Sequence, residues 1–334
     1  MSSSEVGLYP LVQNETIKIM KKRRFFVVLL ILLALIPIFT YAQMRVAQNT
    51  KKQFGEQDWR LVSQQKINDY TNRLSSGRVP EEWKKFMRVQ VRVLQYYLDK
   101  DVNPESPNGV TFTIGFLRNA IGLFIPLMVM VIASDLVSSE HSTGTIKLLL
   151  TRPVGRWKVL LSKFIAMVFY VSLTVFSTAA LCYLISGAVF GYGGWDIPVF
   201  SGFKVVGTEV DFTFVHPVPQ ALFLLMEMGL VWFSAFVVGC MSLMISVLVR
   251  STAAGMGIML AVLIAGTILT NMASSWETAK YLFMVNLQLT DYLSGSLPPV
   301  EGMTLAFSLI VLSVWTAAAI AVSFWSFTKK DVLN

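Results

Sequence analysis

The sequence predicts an all-α, polytopic membrane protein with six transmembrane helices. Of its 334 residues, 54% are hydrophobic and only 14% are charged, against roughly a quarter charged in soluble domains. The charges are swept out of long apolar windows, each able to cross a hydrocarbon core about 30 Å thick at about 1.5 Å rise per residue. The basic residues gather at the ends of those windows.

Taken in order, residues 1–24 form a short amphipathic lead-in, and the charge-free run from Phe25 to Met44 is the first span. A cleaved signal peptide is the alternative reading of that run. Its apolar stretch exceeds the usual h-region of roughly 7–15 residues and no A-x-A site ends it, so it reads as a retained anchor. Further spans are expected at 113–134, 164–190, 221–249, 252–272 and 303–327, with Arg118 the one charge inside the second and Glu227 the one charge inside the fourth.

Lys and Arg near span ends stay on the cytoplasmic side. Lys18, Lys21, Lys22, Arg23 and Arg24 precede the first span. Lys147, Arg152, Arg156, Lys158 and Lys163 lie in the 135–163 loop, Arg250 joins the fourth span to the fifth, and Lys329 and Lys330 lie in or beside the 328–334 tail. Both termini are then expected in the cytoplasm, with 45–112, 191–218 and 273–302 outside, in a bacterial cytoplasmic membrane. The net charge of +8 needs no nucleic-acid partner, because the basic residues of the first outer segment are interspersed with acids from Glu56 to Glu105.

That outer segment has helical spacing at Ile67, Tyr70 and Leu74 and again at Trp83, Met87, Val91, Leu94 and Leu98, with a break at Ser75-Ser76-Gly77. A small helical hairpin is expected, since Pro80 followed by Glu81 and Glu82 suits a first helical turn. Glycines and prolines make 191–218 an irregular loop or short hairpin. Trp276, Tyr281, Phe283, Leu287 and Tyr292 make 273–302 one or two short helices at the outer interface.

The sequence has no phosphate loop of the G-x-x-x-x-G-K-[ST] type, no H-E-x-x-H, no G-x-S-x-G and no Cys/His cluster at metal-ligand spacing. No catalytic residue and no metal ligand is assigned, and no enzymatic activity or cofactor is expected on this chain. Cys182 and Cys240 fall inside spans, where cysteine is a small packing residue. Arg118 and Glu227 are a candidate intramembrane ion pair, the alternative being that each snorkels to the interface alone.

The loop at 135–163 carries the most information. A polar turn, Ser138 to Gly144, leads into Thr145-Ile146-Lys147-Leu148-Leu149-Leu150, where Ile146, Leu149 and Leu150 share one face of a short helix stopped by Pro153. Binding of this helix to anionic headgroups is one reading.

These residues resemble the permease subunits of ABC-2-type ATP-binding-cassette transporters. Glu140, Gly144-Thr145, Leu148 to Leu150, Pro153, Arg156 and Lys163 match the family's loop in order. The lead-in, Asn14-Glu15 with Lys18 and the Lys21 to Arg24 cluster, is similar to the family's, and so is the exit, Phe327 followed by Lys329-Lys330-Asp331-Val332. The resemblance implies an exporter subunit that docks separate cytoplasmic ATPase subunits, which hold ATP and Mg, and pairs with a second permease, identical or related. It implies that Glu140, Gly144, Thr145, Ile146, Leu149, Pro153 and Arg156 dock the ATPase and couple it to transport. Glu140 would bond the loop backbone or a basic residue of the ATPase, or stand solvated. The first outer segment is long for the family, and no substrate is implied. The rival class is an ATP-independent secondary transporter or channel.

Overall fold

A computed structural model describes residues 7–54, 59–75, 79–103, 107–145, 154–206, 209–272 and 276–329. Among them, five helices are long and apolar enough to cross a membrane, or up to six if one bent pair is a single span. The protein is a multi-pass, predominantly helical membrane protein.

Helix α1 (Leu8–Lys21) is amphipathic, with Glu15 and Ile19 buried on one face and Tyr9, Ile17 and Met20 exposed. Its last turn carries Lys18 and Lys21, the charges that favour a helix C-terminus. A corner at Arg23, whose φ of 57° is left-handed, leads into α2 (Arg24–Phe54). Val28, Leu32 and Ile36 recur every fourth residue on the buried face of α2, while Leu30, Leu33 and Ile38 point outward. At 31 residues, α2 is about 46 Å long and continues past the expected end at Met44. Polar residues can prolong a helix once it has left the hydrocarbon.

Helices α3 (Trp59–Ser75) and α4 (Glu81–Asp99) pack against each other as a hairpin. The expected second span is instead two helices, α5 (Gly109–Ala120) and α6 (Phe124–Ala133), bent by 66°. The break has a local cause. Pro126 cannot supply an N–H to a preceding turn, and restarting the helix at Phe124 puts it in the first turn, where that group has no helical partner to lose.

After the short α7 (Ser138–Ser142), α8 (Arg156–Phe190) runs for 35 residues. It begins eight residues before the expected third span, so 156–163 is helix and not loop. A reading based on charge-free windows must stop at Lys163; the structure carries the helix through it because the ammonium has partners inside the protein. Helix α9 (Gln220–Leu248) is the central element, packed on α5, α6, α8, α10 (Thr252–Met272) and α12 (Leu305–Lys329). Between α10 and α12 lie 3-10 turns at Glu277–Tyr281 and Phe283–Asn286 and the single-turn α11 (Asp291–Ser294).

The segment 191–218, expected as an irregular loop or short hairpin, forms two short antiparallel ribbons. There β1 (Pro198–Ser201) pairs antiparallel with β4 (His216–Pro219), and β2 (Lys204–Val206) with β3 (Glu209–Asp211). Glycine and proline cut this segment too short for helices, and its valines suit a pleated surface. Val89, Val93 and Tyr97 of α4 pack onto Phe200, Phe203 and Val210 of the ribbons, and Tyr96 stacks on Phe212 at 4.8 Å. The hairpin and ribbons thus form one lobe at one end of the bundle.

Candidate functional site

The opposite end is organised around buried charge. Nζ of Lys163, on α8, donates to Glu15 Oε2 and to Glu140 Oε1, each at 2.8 Å. Nζ of Lys18 donates to Glu15 Oε1 at 2.8 Å and to Glu140 Oε1 at 3.0 Å. Two ammonium groups and two carboxylates therefore close a four-membered ring, with charges alternating in sign. Its members come from α1, α7 and α8. Lys163, Glu15 and Glu140 are buried, and Lys18 is partly exposed at the rim.

Burial opposes the charged form of Glu140, but Lys163 and then Lys18 outweigh it and hold the carboxyl below its ordinary value. Burial likewise opposes Lys18, yet Glu15 and Glu140 leave its ammonium above the ordinary range. Beside the ring, Asp135 is bonded by Lys22 and Arg24, each at 3.0 Å. Arg24 also donates to the Val131 carbonyl, and Lys22 to Ser139 Oγ.

Hydroxyl groups complete the attachment of this segment. Ser246 Oγ, on α9, accepts from the backbone N–H groups of Val137 and Ser138, both at 3.0 Å. Ser138 Oγ lies 3.0 Å from Thr252 Oγ1 at the start of α10. The stretch from Asp135 to Ser139 with Glu140 is consequently fastened to α1, α2, α8, α9 and α10 at once. A displacement applied there has five helices to act on.

The fate of each expected site residue follows from this frame. Glu140 is not a solvated charge: it is buried, and its Oε1 accepts from Lys18 and Lys163 of the chain itself. Gly144 has a φ of +70°, a left-handed conformation that ends the polar turn and that a side chain would strain. Thr145 lies next to it, its hydroxyl 3.0 Å from that of Thr143. Ile146, Leu149 and Pro153 lie outside the described residues, so the expected short helix stopped by Pro153 does too. Arg156 opens α8 and donates to the Thr328 carbonyl at 3.3 Å, near the end of α12. Sequence reasoning gave no role to Asp135, and it placed Lys163 at the end of the loop, entering the third span. An acid on the apolar side of α1 was the available signal, since Glu15 precedes the buried Ile19 by one turn.

The structure also brings Arg118 and Glu227 together, with Nη2 to Oε1 at 2.9 Å. Glu227 is fully buried on α9, and the Arg118 guanidinium lies 5.9 Å from the Phe223 ring centroid. On α11, burial pushes the Asp291 carboxyl up to about 6, with Arg118 opposing. This acid had no place in the sequence reading. Among the described residues, no group of three or more His, Cys, Asp or Glu side chains could hold a metal ion.

The fold and these two polar centres define a class, a multi-pass helical membrane protein with a charge-locked end and a lobed end. The chain belongs to the family described as "Protein of unknown function (DUF2705)", whose model matches residues 84–333. It is 27% identical to "Uncharacterized protein YhcI" of Bacillus subtilis over 79% of this chain and 88% of the relative. It is 30% identical to "Uncharacterized membrane protein YdbK" of the same organism over 66% of this chain and 83% of the relative. A shorter likeness, 32% identity over 31% of this chain and 38% of the relative, is to "Probable ABC transporter permease protein NosY" of Stutzerimonas stutzeri.

Proposed function

We propose that the chain is the membrane subunit of an ABC-2-type ATP-binding-cassette exporter in the bacterial cytoplasmic membrane. The bent pair α5–α6 counts as one of six spans, both termini are cytoplasmic, and the lobe faces outward. ATP and Mg are held by separate cytoplasmic ATPase subunits, and a second permease, identical or related, completes the pathway.

The observation that carries this reading is the ring of Glu15, Lys18, Glu140 and Lys163. It joins the surface helix α1 to the segment that leads into 146–153, so a push received by that loop reaches the bundle without being absorbed by a slack connection. The partial likeness to NosY supports the same class. Gly144, Thr145, Ile146, Leu149, Pro153 and Arg156 form the docking surface in this reading, while Glu140 sits behind it as the anchor.

The test is to replace Ile146 and Leu149 together with Asp. Charges in an apolar docking face should abolish copurification with the partner ATPase, or uncouple it, while the protein still inserts. Wild-type partner binding and transport in the double variant would leave headgroup binding as the role of this loop. A carrier that works without ATP is the second reading, favoured by the buried Arg118–Glu227 pair; it requires transport by the chain alone in proteoliposomes.

A further inference from the structure

We propose that Lys21 and Arg23, at the corner between α1 and α2, bind the phosphate of an anionic phospholipid and seat α1 on the bilayer. Five cations lie between Lys18 and Arg24, and the structure divides them by partner. Lys18, Lys22 and Arg24 reach the carboxylates of Glu15, Glu140 and Asp135. Lys163 draws on two of the same acids, so three carboxylates already face four cations. Lys21 and Arg23 are exposed, and among the described residues neither has a hydrogen-bond or ion-pair partner. Arg23 also makes the corner itself, in a left-handed conformation, φ 57°, that a residue with a side chain adopts at some cost.

Apolar side chains flank both cations. On α1, Ile17 and Met20 are exposed beside Lys21; on α2, Val27 follows Arg23 by one turn and is exposed as well. Val27 belongs to the first span, and four residues put it only about 6 Å along the axis from Arg23. The two cations therefore stand where hydrocarbon gives way to headgroups. An anionic phospholipid supplies both things that this corner lacks, phosphate oxygens for a guanidinium and an ammonium, and acyl chains for the apolar side chains next to them. A soluble ATPase approaches from the water and offers no cover for Val27. The transporter reading enters only by placing this corner at the cytoplasmic leaflet.

The test is to count which lipid lies beside the corner. The full chain, with Cys182 and Cys240 replaced by Ala, would carry a bimane label on Val27→Cys in nanodiscs of equimolar phosphatidylglycerol and phosphatidylcholine. One lipid at a time would be brominated on its chains, so that quenching reports its share of the positions next to the label. Brominated phosphatidylglycerol should quench more strongly than brominated phosphatidylcholine. In the double variant Lys21→Gln, Arg23→Gln that preference should be lost, with the unfolding midpoint unchanged, because neither cation makes an internal bond. A label on Ile310→Cys, exposed on α12, reports the ordinary lipid annulus and should show no preference. Equal quenching at Val27, a preference of the same size at Ile310, or one that survives in the double variant overturns the proposal. Loss of ATPase copurification in the double variant, with its lipid preference intact, would give the corner to a protein partner instead. The quenching measurement involves no ATPase, so its failure leaves the transporter reading standing.

Discussion

Lys163 shows how a charge is kept in a buried position. Its ammonium sits between two carboxylates at 2.8 Å, and removing either kind of partner leaves the other kind stranded. Lys163→Met should therefore cost about 3–5 kcal/mol, the range for breaking a buried pair, read as a fall in the unfolding midpoint of the solubilised protein. The double variant Glu140→Gln, Lys163→Gln should cost less than the sum of its single changes. Additive losses would mean that the two groups do not interact. The ring also predicts a pH signature. Glu140 has a folded pKa below its ordinary 4.5, so its stabilisation is complete above that value and is lost as pH falls through the lower folded one. Lys18 has a folded pKa above its ordinary 10.5, so its stabilisation is present below that value and is lost as pH rises through the raised one. The stability difference between wild type and Glu140→Gln should hold around neutral pH and shrink in acid, and a difference that widened in acid would contradict the pairing.

At the scale of elements, what the sequence made legible was determined by where water and lipid must be. Helices α9, α10 and α12 could be read because their apolar runs are bounded by charge or turn residues. The hairpin of α3 and α4 could be read from its apolar spacing and its Ser75-Ser76-Gly77 break. What stayed hidden depends on partners distant in sequence. The start of α8 was obscured by Lys163, and the ring joins residues 148 positions apart. The contact between α5 and α8 is equally non-local. A side chain added at Gly109 would meet backbone atoms of α8, with Gly187 Cα 3.1 Å from its Cβ, and the Gly191 carbonyl at 3.3 Å. Backbone cannot swing aside as a side chain can, so Gly109→Leu should destabilise by about 1–3 kcal/mol or lower the yield of folded protein. Gly115→Leu on the same helix, with open space around it, is the control and should be tolerated.

For the molecule as a whole, the proposed orientation sets the charged end in the cytoplasm and the lobe outside. Single cysteines at Asn72 and Thr213, both exposed, in a background lacking the buried Cys182 and Cys240, should react with an impermeant thiol reagent on intact cells. A cysteine at the exposed Ser142 should react only after the membrane is opened, and the reverse pattern would invert the topology. The ring has a further consequence, for the order in which the protein is made. Glu15 leaves the ribosome 148 residues ahead of Lys163, roughly 7–30 s at about 5–20 residues per second. During that interval the nascent α1 has an acid on its apolar side and no distant lysine to neutralise it. Only when α8 emerges can α1 lock into place, so the first helix translated waits for one made much later. Closure of the ring thus becomes possible only about halfway through synthesis, and a chain truncated before Lys163 should leave α1 open to protease.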